Sequence, residues 1–113
     1  MVLVVNNSLG MTKGKIAAQC SHAAVSLALW YSRHKPWLLE QWHTEGSRKI
    51  VVRVDSTEAL EKLFEKVKTA SLPCYLVRDA GYTQIEAGSK TVLGIGPLGE
   101  SSFAELTDRL KLM

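Results

Sequence analysis

MTKGKIAAQCSHAA, residues 11–24, decides how this chain is read. It opens as a lysine-glycine-lysine turn and continues as an alanine-rich helix. At helical spacing Lys15, Gln19, His22 and Ser26 fall at i, i+4, i+7 and i+11, on one face. Ile16, Ala17, Ala18, Cys20, Ala23, Ala24, Val25 and Leu27 fill the remaining surface with small or apolar groups. That pattern predicts a buried helix whose polar stripe needs partners or a water-lined groove. Lys13 and Lys15 stand at the helix start, where partial positive charge and unpaired N–H groups make lysine unwelcome unless an anion binds. The plainer alternative is an ordinary solvent face with two flexible lysines. A Walker A loop is excluded: Gly10 and Gly14 enclose three residues, and Ile16 follows Lys15.

Working outward, residues 2–5 (VLVV) read as a strand buried on both faces, ended by Asn6, Asn7, Ser8 and Gly10. Thr12 is the expected N-cap of the helix, which runs to about Ser32. Pro36 suits the first turn of a second helix carrying Trp37, Leu38, Leu39 and Trp42, which Gly46 stops. Residues 49–54 (KIVVRV) are a second strand. Asp55 or Ser56 caps a third helix with the apolar stripe Leu60, Leu63, Phe64 and Val67. Residues 74–77 (CYLV) and 91–95 (TVLGI) are the third and fourth strands, and 82–90 are too few and too polar for a crossover helix. Ser101 or Ser102 opens a last helix with Phe103, Leu106 and Leu110.

This order predicts one domain over residues 1–113, of the α/β class with a mostly parallel sheet. The two helical crossovers are expected to be right-handed, and the fourth strand antiparallel to the third. The chain has no run of eighteen apolar residues, so no membrane segment is expected, and its start reads as a strand rather than a signal peptide. Cys20 and Cys74 are expected to be reduced core residues of an intracellular protein. The net charge of +3 and pI near 9.0 are compatible with nucleic acid without requiring it.

Topology locates a site. Ligands of open α/β sheets bind beyond the carboxyl ends of the parallel strands. Lys13 and Lys15 follow the first strand there, Asp79 ends the third, and Thr91 begins an antiparallel fourth at the same rim, with Thr83 in the loop between. The alternative is a weak surface salt bridge between a lysine and a turn aspartate. His22 is the rival base, because histidine titrates near neutral pH. Cys20 and His22 are two residues apart and point about 200° around the helix from each other, so they do not form a nucleophile–base pair. The histidines and cysteines offer no metal-ligand spacing.

MTKGKIAAQCSHAA, KIVVRVDS, RDAGYTQIEAGSKTVLGIGP and the terminal LKLM together resemble the peptidyl-tRNA hydrolase 2 family, over nearly the whole chain and in the same order. The resemblance implies cleavage of the ester between a peptide and the 3′-ribose of tRNA, without metal or cofactor. It implies a four-stranded mixed sheet with helices on both faces, a three-layer α/β/α arrangement, and a homodimer. It assigns the chemistry to Lys13, Asp79, Thr83 and Thr91, and lines the same groove with Gln19 and His22. Lys15, Arg78 and Lys90 complete the expected contacts to tRNA, and the expected compartment is the cytoplasm, or the mitochondrion if an N-terminal segment is missing. One departure stands out: the family usually has an arginine and an aspartate where this chain has Asn6 and Ser8. A non-catalytic RNA- or partner-binding module of the same fold is the alternative, and a small domain that binds an acidic protein is a third reading.

Overall fold

The computed structural model describes residues 1–81, 85–102 and 104–113. In chain order the elements are β1 (Val2–Asn6), a 3-10 turn (Asn7–Leu9), α1 (Lys13–His34), α2 (Pro36–Thr44), β2 (Ile50–Val54), α3 (Thr57–Thr69), β3 (Cys74–Arg78), β4 (Lys90–Ile95), a second 3-10 turn (Glu100–Ser102), α4 (Ala104–Thr107) and β5 (Lys111–Leu112). The helix starts follow the capping residues: Thr12 Oγ1 accepts from the Lys15 N–H at 3.2 Å, and Ser56 Oγ from the Ala59 N–H at 3.0 Å. Pro36 sits in the first turn of α2.

The sheet is mixed and has five strands in the order β3-β4-β1-β2-β5, not four. β1 pairs with β2 in parallel, whereas β1–β4, β3–β4 and β2–β5 are antiparallel. A mostly parallel sheet is therefore corrected. β4 is antiparallel to β3, as expected, and inserts between β3 and β1, so β3 never meets β2. Five of the six β4 positions are buried, which suits an interior place in the sheet. The fifth strand arises because α4 spans only Ala104–Thr107, leaving Leu110 outside the helix expected there. The chain then turns, and Lys111 and Leu112 pair with Arg53 and Val52. Phe103 lies outside the described residues.

Side-chain alternation along the strands divides the core in two. Val2, Val4, Val52, Val54, Leu76, Leu93 and Ile95 cluster with Leu60, Leu63 and Val67 of α3. Leu3, Val5, Val77 and Val92 cluster with Cys20, Ala23 and Leu27 of α1. α1 lies close against β4: a Cβ placed on Gly94 would sit 2.7 Å from Leu27 Cδ1 and 3.1 Å from the Ala23 Cβ. The helix is not buried on nearly all sides. Its buried set is Gln19, Cys20, Ala23, Leu27 and Tyr31, while Val25 is 58% and Leu29 52% exposed. A sheet can cover only one face of a helix, and apolar side chains on the far face stay in solvent. Cys20 and Cys74 are free thiols, and burial pushes the pKa of both up.

Candidate active site

Asp79 follows the last residue of β3 and is 4% exposed. Its backbone is fixed by two bonds across the connection to β4: Asp79 N–H to Ser89 O at 2.9 Å, and Gly88 N–H to Asp79 O at 2.8 Å. Oδ1 accepts from the Lys15 ammonium and from Gln19 Nε2 at 3.2 Å, while Oδ2 accepts from the Gly81 N–H at 2.8 Å. The Lys15 side chain is itself only 9% exposed. A charge pair removed from water in this way is costly unless hydrogen bonds satisfy it, and here the surrounding donors do so.

Gln19 extends the pair into a chain. Its Oε1 accepts from Thr91 Oγ1 at 3.1 Å, and the same hydroxyl lies 3.3 Å from Val77 O. Thr91 is buried. Strand alternation would put it with Leu93 on the α3 side. The register of β3 and β4 slips instead: Val77 pairs with Val92 but Arg78 with Lys90, so Thr91 is the extra residue of a β-bulge. The bulge turns Thr91 toward α1, and Lys90 toward α3, where its ammonium meets Glu61 Oε1 at 2.9 Å.

The expected site residues thus separate. Lys15, Gln19, Asp79 and Thr91 form one hydrogen-bonded cluster. Lys13 is exposed at the start of the same helix and has no ion pair among the described residues. His22 is exposed further along α1. Arg78 and Lys90 border a groove of about 630 Å³ on the α3 side, with Glu61 and Phe64. Thr83 lies outside the described residues. Among those residues, no three His, Cys, Asp or Glu side chains gather as a metal-ligating group, and no helix is long and apolar enough to cross a membrane.

Two contributors were missed from sequence. The Gly81 N–H is a backbone donor in the turn after Asp79, and the Asp-Ala-Gly order was its only signal. Asn6 is the other. It is fully buried, and its Nδ2 donates to Thr57 Oγ1 at 2.9 Å and Lys90 O at 3.0 Å. Its Oδ1 accepts from the Ser8 N–H at 3.2 Å and the Ser8 hydroxyl at 2.6 Å. The two residues that depart from the family pattern therefore form a neutral node that ties β1 to α3 and to the start of β4.

A family profile described as peptidyl-tRNA hydrolase PTH2 matches residues 1–113. A peptidyl-tRNA hydrolase of Methanocaldococcus jannaschii is 41% identical over 113 residues, covering 100% of this chain and 98% of that protein. One from Methanococcus vannielii is 43% identical over 98% of this chain and 96% of its own length. The Mus musculus protein named peptidyl-tRNA hydrolase 2, mitochondrial, is 48% identical over 99% of this chain, which spans 62% of that longer relative. Matched from its first residue to its last, the chain belongs to the peptidyl-tRNA hydrolase PTH2 family.

Proposed function

We propose that this chain hydrolyses peptidyl-tRNA at the ester joining the peptide to the 3′-ribose. Water adds to the carbonyl, the bond to the 3′-oxygen breaks, that oxygen takes a proton, and the peptide leaves as a carboxylate. The observation that carries the reading is the buried Lys15–Asp79 pair, joined through Gln19 to Thr91, in a chain matched end to end by the family.

Asp79 orients the attacking water and holds the Lys15 ammonium in place. The N–H groups of Lys15 not directed at Asp79, together with the amino end of α1, stabilise the oxyanion. Thr91, fully buried, gives its proton to Gln19 Oε1 and so fixes the Gln19 amide that donates to Asp79. Thr83 keeps its assigned part in positioning water. Lys13 and His22, exposed along α1, and Arg78 and Lys90 across the sheet serve the tRNA body. The route uses no metal or cofactor. We also infer a three-layer α/β/α arrangement, supported by the two core clusters. The compartment is one where translation runs, cytoplasmic or mitochondrial.

A homodimer completes the reading, supported by exposed Val25, Leu29, Trp30 and Trp37 on α1 and α2. Light scattering of Trp37→Glu should give half the mass of the unmodified protein; equal masses exclude that face. The activity test is direct. Incubation with peptidyl-tRNA should release free peptide and deacylated tRNA. Binding without turnover would select the non-catalytic module instead.

A further inference from the structure

One transverse row of the sheet runs Val77, Val92, Val5, Arg53, Lys111, as the register pairs of β3, β4, β1, β2 and β5 require. The valines belong to the cluster under α1, which packs on β3, β4 and β1. Beyond them the row turns cationic. Arg53 and Lys111 face each other as cross-strand partners, an arrangement of like charges that is unfavourable on its own. Among the described residues neither has a carboxylate in an ion pair, and Arg53 Nε is buried without a hydrogen-bond partner. Arg109 joins them around a pocket of about 360 Å³ whose lining contains a single carboxylate, Asp55. Folding supplies no reason for this cluster; an anionic ligand does.

We propose that Arg53, Lys111 and Arg109 form a docking strip for the phosphodiester backbone of the tRNA substrate, separate from the Lys15–Asp79 site. The proposal rests on the hydrolase reading for the identity of the polyanion. Position supports it. Thr91 precedes Val92 on the same row, and three strand steps of about 4.8 Å carry the row roughly 14 Å from β4 to Lys111. That distance is spanned by a few nucleotides, so a strand whose 3′ end lies at the Lys15–Asp79 pair reaches the strip. Arginine and lysine suit phosphate by charge, and the guanidinium adds paired donors.

The test is deacylated-tRNA binding by Arg53→Gln/Lys111→Gln against salt concentration, alongside hydrolysis of peptidyl-tRNA and of a peptidyl-adenosine ester too short to span the strip. Removing two phosphate contacts should flatten the log–log salt slope by about 1.4. The ratio of kcat/KM for peptidyl-tRNA to that for the short ester should fall about tenfold, as it does when binding energy on a remote part of the substrate is lost. If the double variant does not fold, Arg109→Gln/Lys111→Gln, at two exposed positions, should flatten the slope by the same ~1.4. An unchanged slope with peptide still released overturns the strip and leaves the hydrolase reading standing. A flattened slope in a protein that releases no peptide keeps the strip and overturns the hydrolase reading. Failure of the unmodified chain to bind tRNA overturns both. Poly-glutamate that displaces tRNA at matched charge overturns the nucleic-acid assignment in favour of an acidic protein partner.

Discussion

Two buried polar clusters stand at the same rim, one at the end of β1 and one at the end of β3 with β4 between them, and they are built on opposite terms. Around Asn6 everything is neutral and saturated: two N–H donors and two acceptor lone pairs meet four partners from Ser8, Thr57 and Lys90. Around Asp79 a full charge pair is held out of water, and the Lys15 ammonium has more N–H groups than the carboxylate consumes. A saturated neutral node adds rigidity and asks nothing of a ligand. A buried ion pair is a poor way to gain stability, since apolar replacements often do as well. On the proposed function, the first cluster is architecture and the second chemistry.

The sharpest way to break that contrast is Asp79→Asn, which keeps the shape and removes the charge. Turnover of peptidyl-tRNA should fall by about 10²-fold or more. The urea midpoint should fall as well, by the equivalent of about 3–5 kcal/mol, because the Lys15 ammonium is left out of water without its carboxylate, so turnover is compared per folded molecule. A small activity loss with a large stability loss would make Asp79 architectural as well. Lys15→Ala and Lys13→Ala refine the point. The first should match Asp79→Asn in activity, and the second should lose less than about threefold at saturating substrate, because uniform binding energy affects KM rather than kcat. Equal losses would put chemistry at the exposed lysine.

The converse substitution is Asn6→Ala. It strands Lys90 O and the Thr57 and Ser8 hydroxyls at the rim, and should cost about 2–3 kcal/mol by urea denaturation. Turnover per folded molecule should stay within a few-fold of the unmodified protein. A 10²-fold loss in kcat without loss of stability would erase the distinction between the clusters. Gly94→Ala comes next. Its Cβ would press on Leu27 and Ala23, so α1 must shift, at about 1–3 kcal/mol. Because α1 carries Lys15 and Gln19 to Asp79, this change should lower stability and kcat together.

Much of this was legible. α1 carries its start in Thr12 and its register in the spacing of its polar stripe. Lys15 and Gln19 share that stripe whereas Lys13 does not, so the sequence held the signal that brings Lys15 rather than Lys13 to Asp79. His22 shares the stripe too and still lies apart, because a helix of 22 residues is about 33 Å long and the rim meets only its first turns. The inward turn of Thr91 depends on a register slip between two strands, which neither strand encodes alone. β5 has two residues, too few for any period to emerge. The interior position of β4 is a property of the whole sheet rather than of one segment.

Tyr31 offers the smallest test, because it is a buried polar group that belongs with Asn6. It is fully buried, and its hydroxyl donates to Pro97 O at 2.7 Å. Burial pushes its pKa up from 10.0 to about 12. The unfolded chain therefore releases this proton first as pH rises. The contribution is complete below pH 10 and is lost as pH climbs through the folded value of about 12. Between those limits the unmodified protein should lose roughly 2–3 kcal/mol through this residue. Tyr31→Phe should cost about 1 kcal/mol at neutral pH, where Pro97 O is left unpaired, and should flatten the alkaline decline. Its kcat should not move, since a buried hydroxyl that gives its proton to Pro97 O on the far part of α1 has nothing to give to the ester. An alkaline decline equally steep in both proteins would mean that Tyr31 meets water readily, and burial with a single partner would then not distinguish architecture from chemistry in this fold.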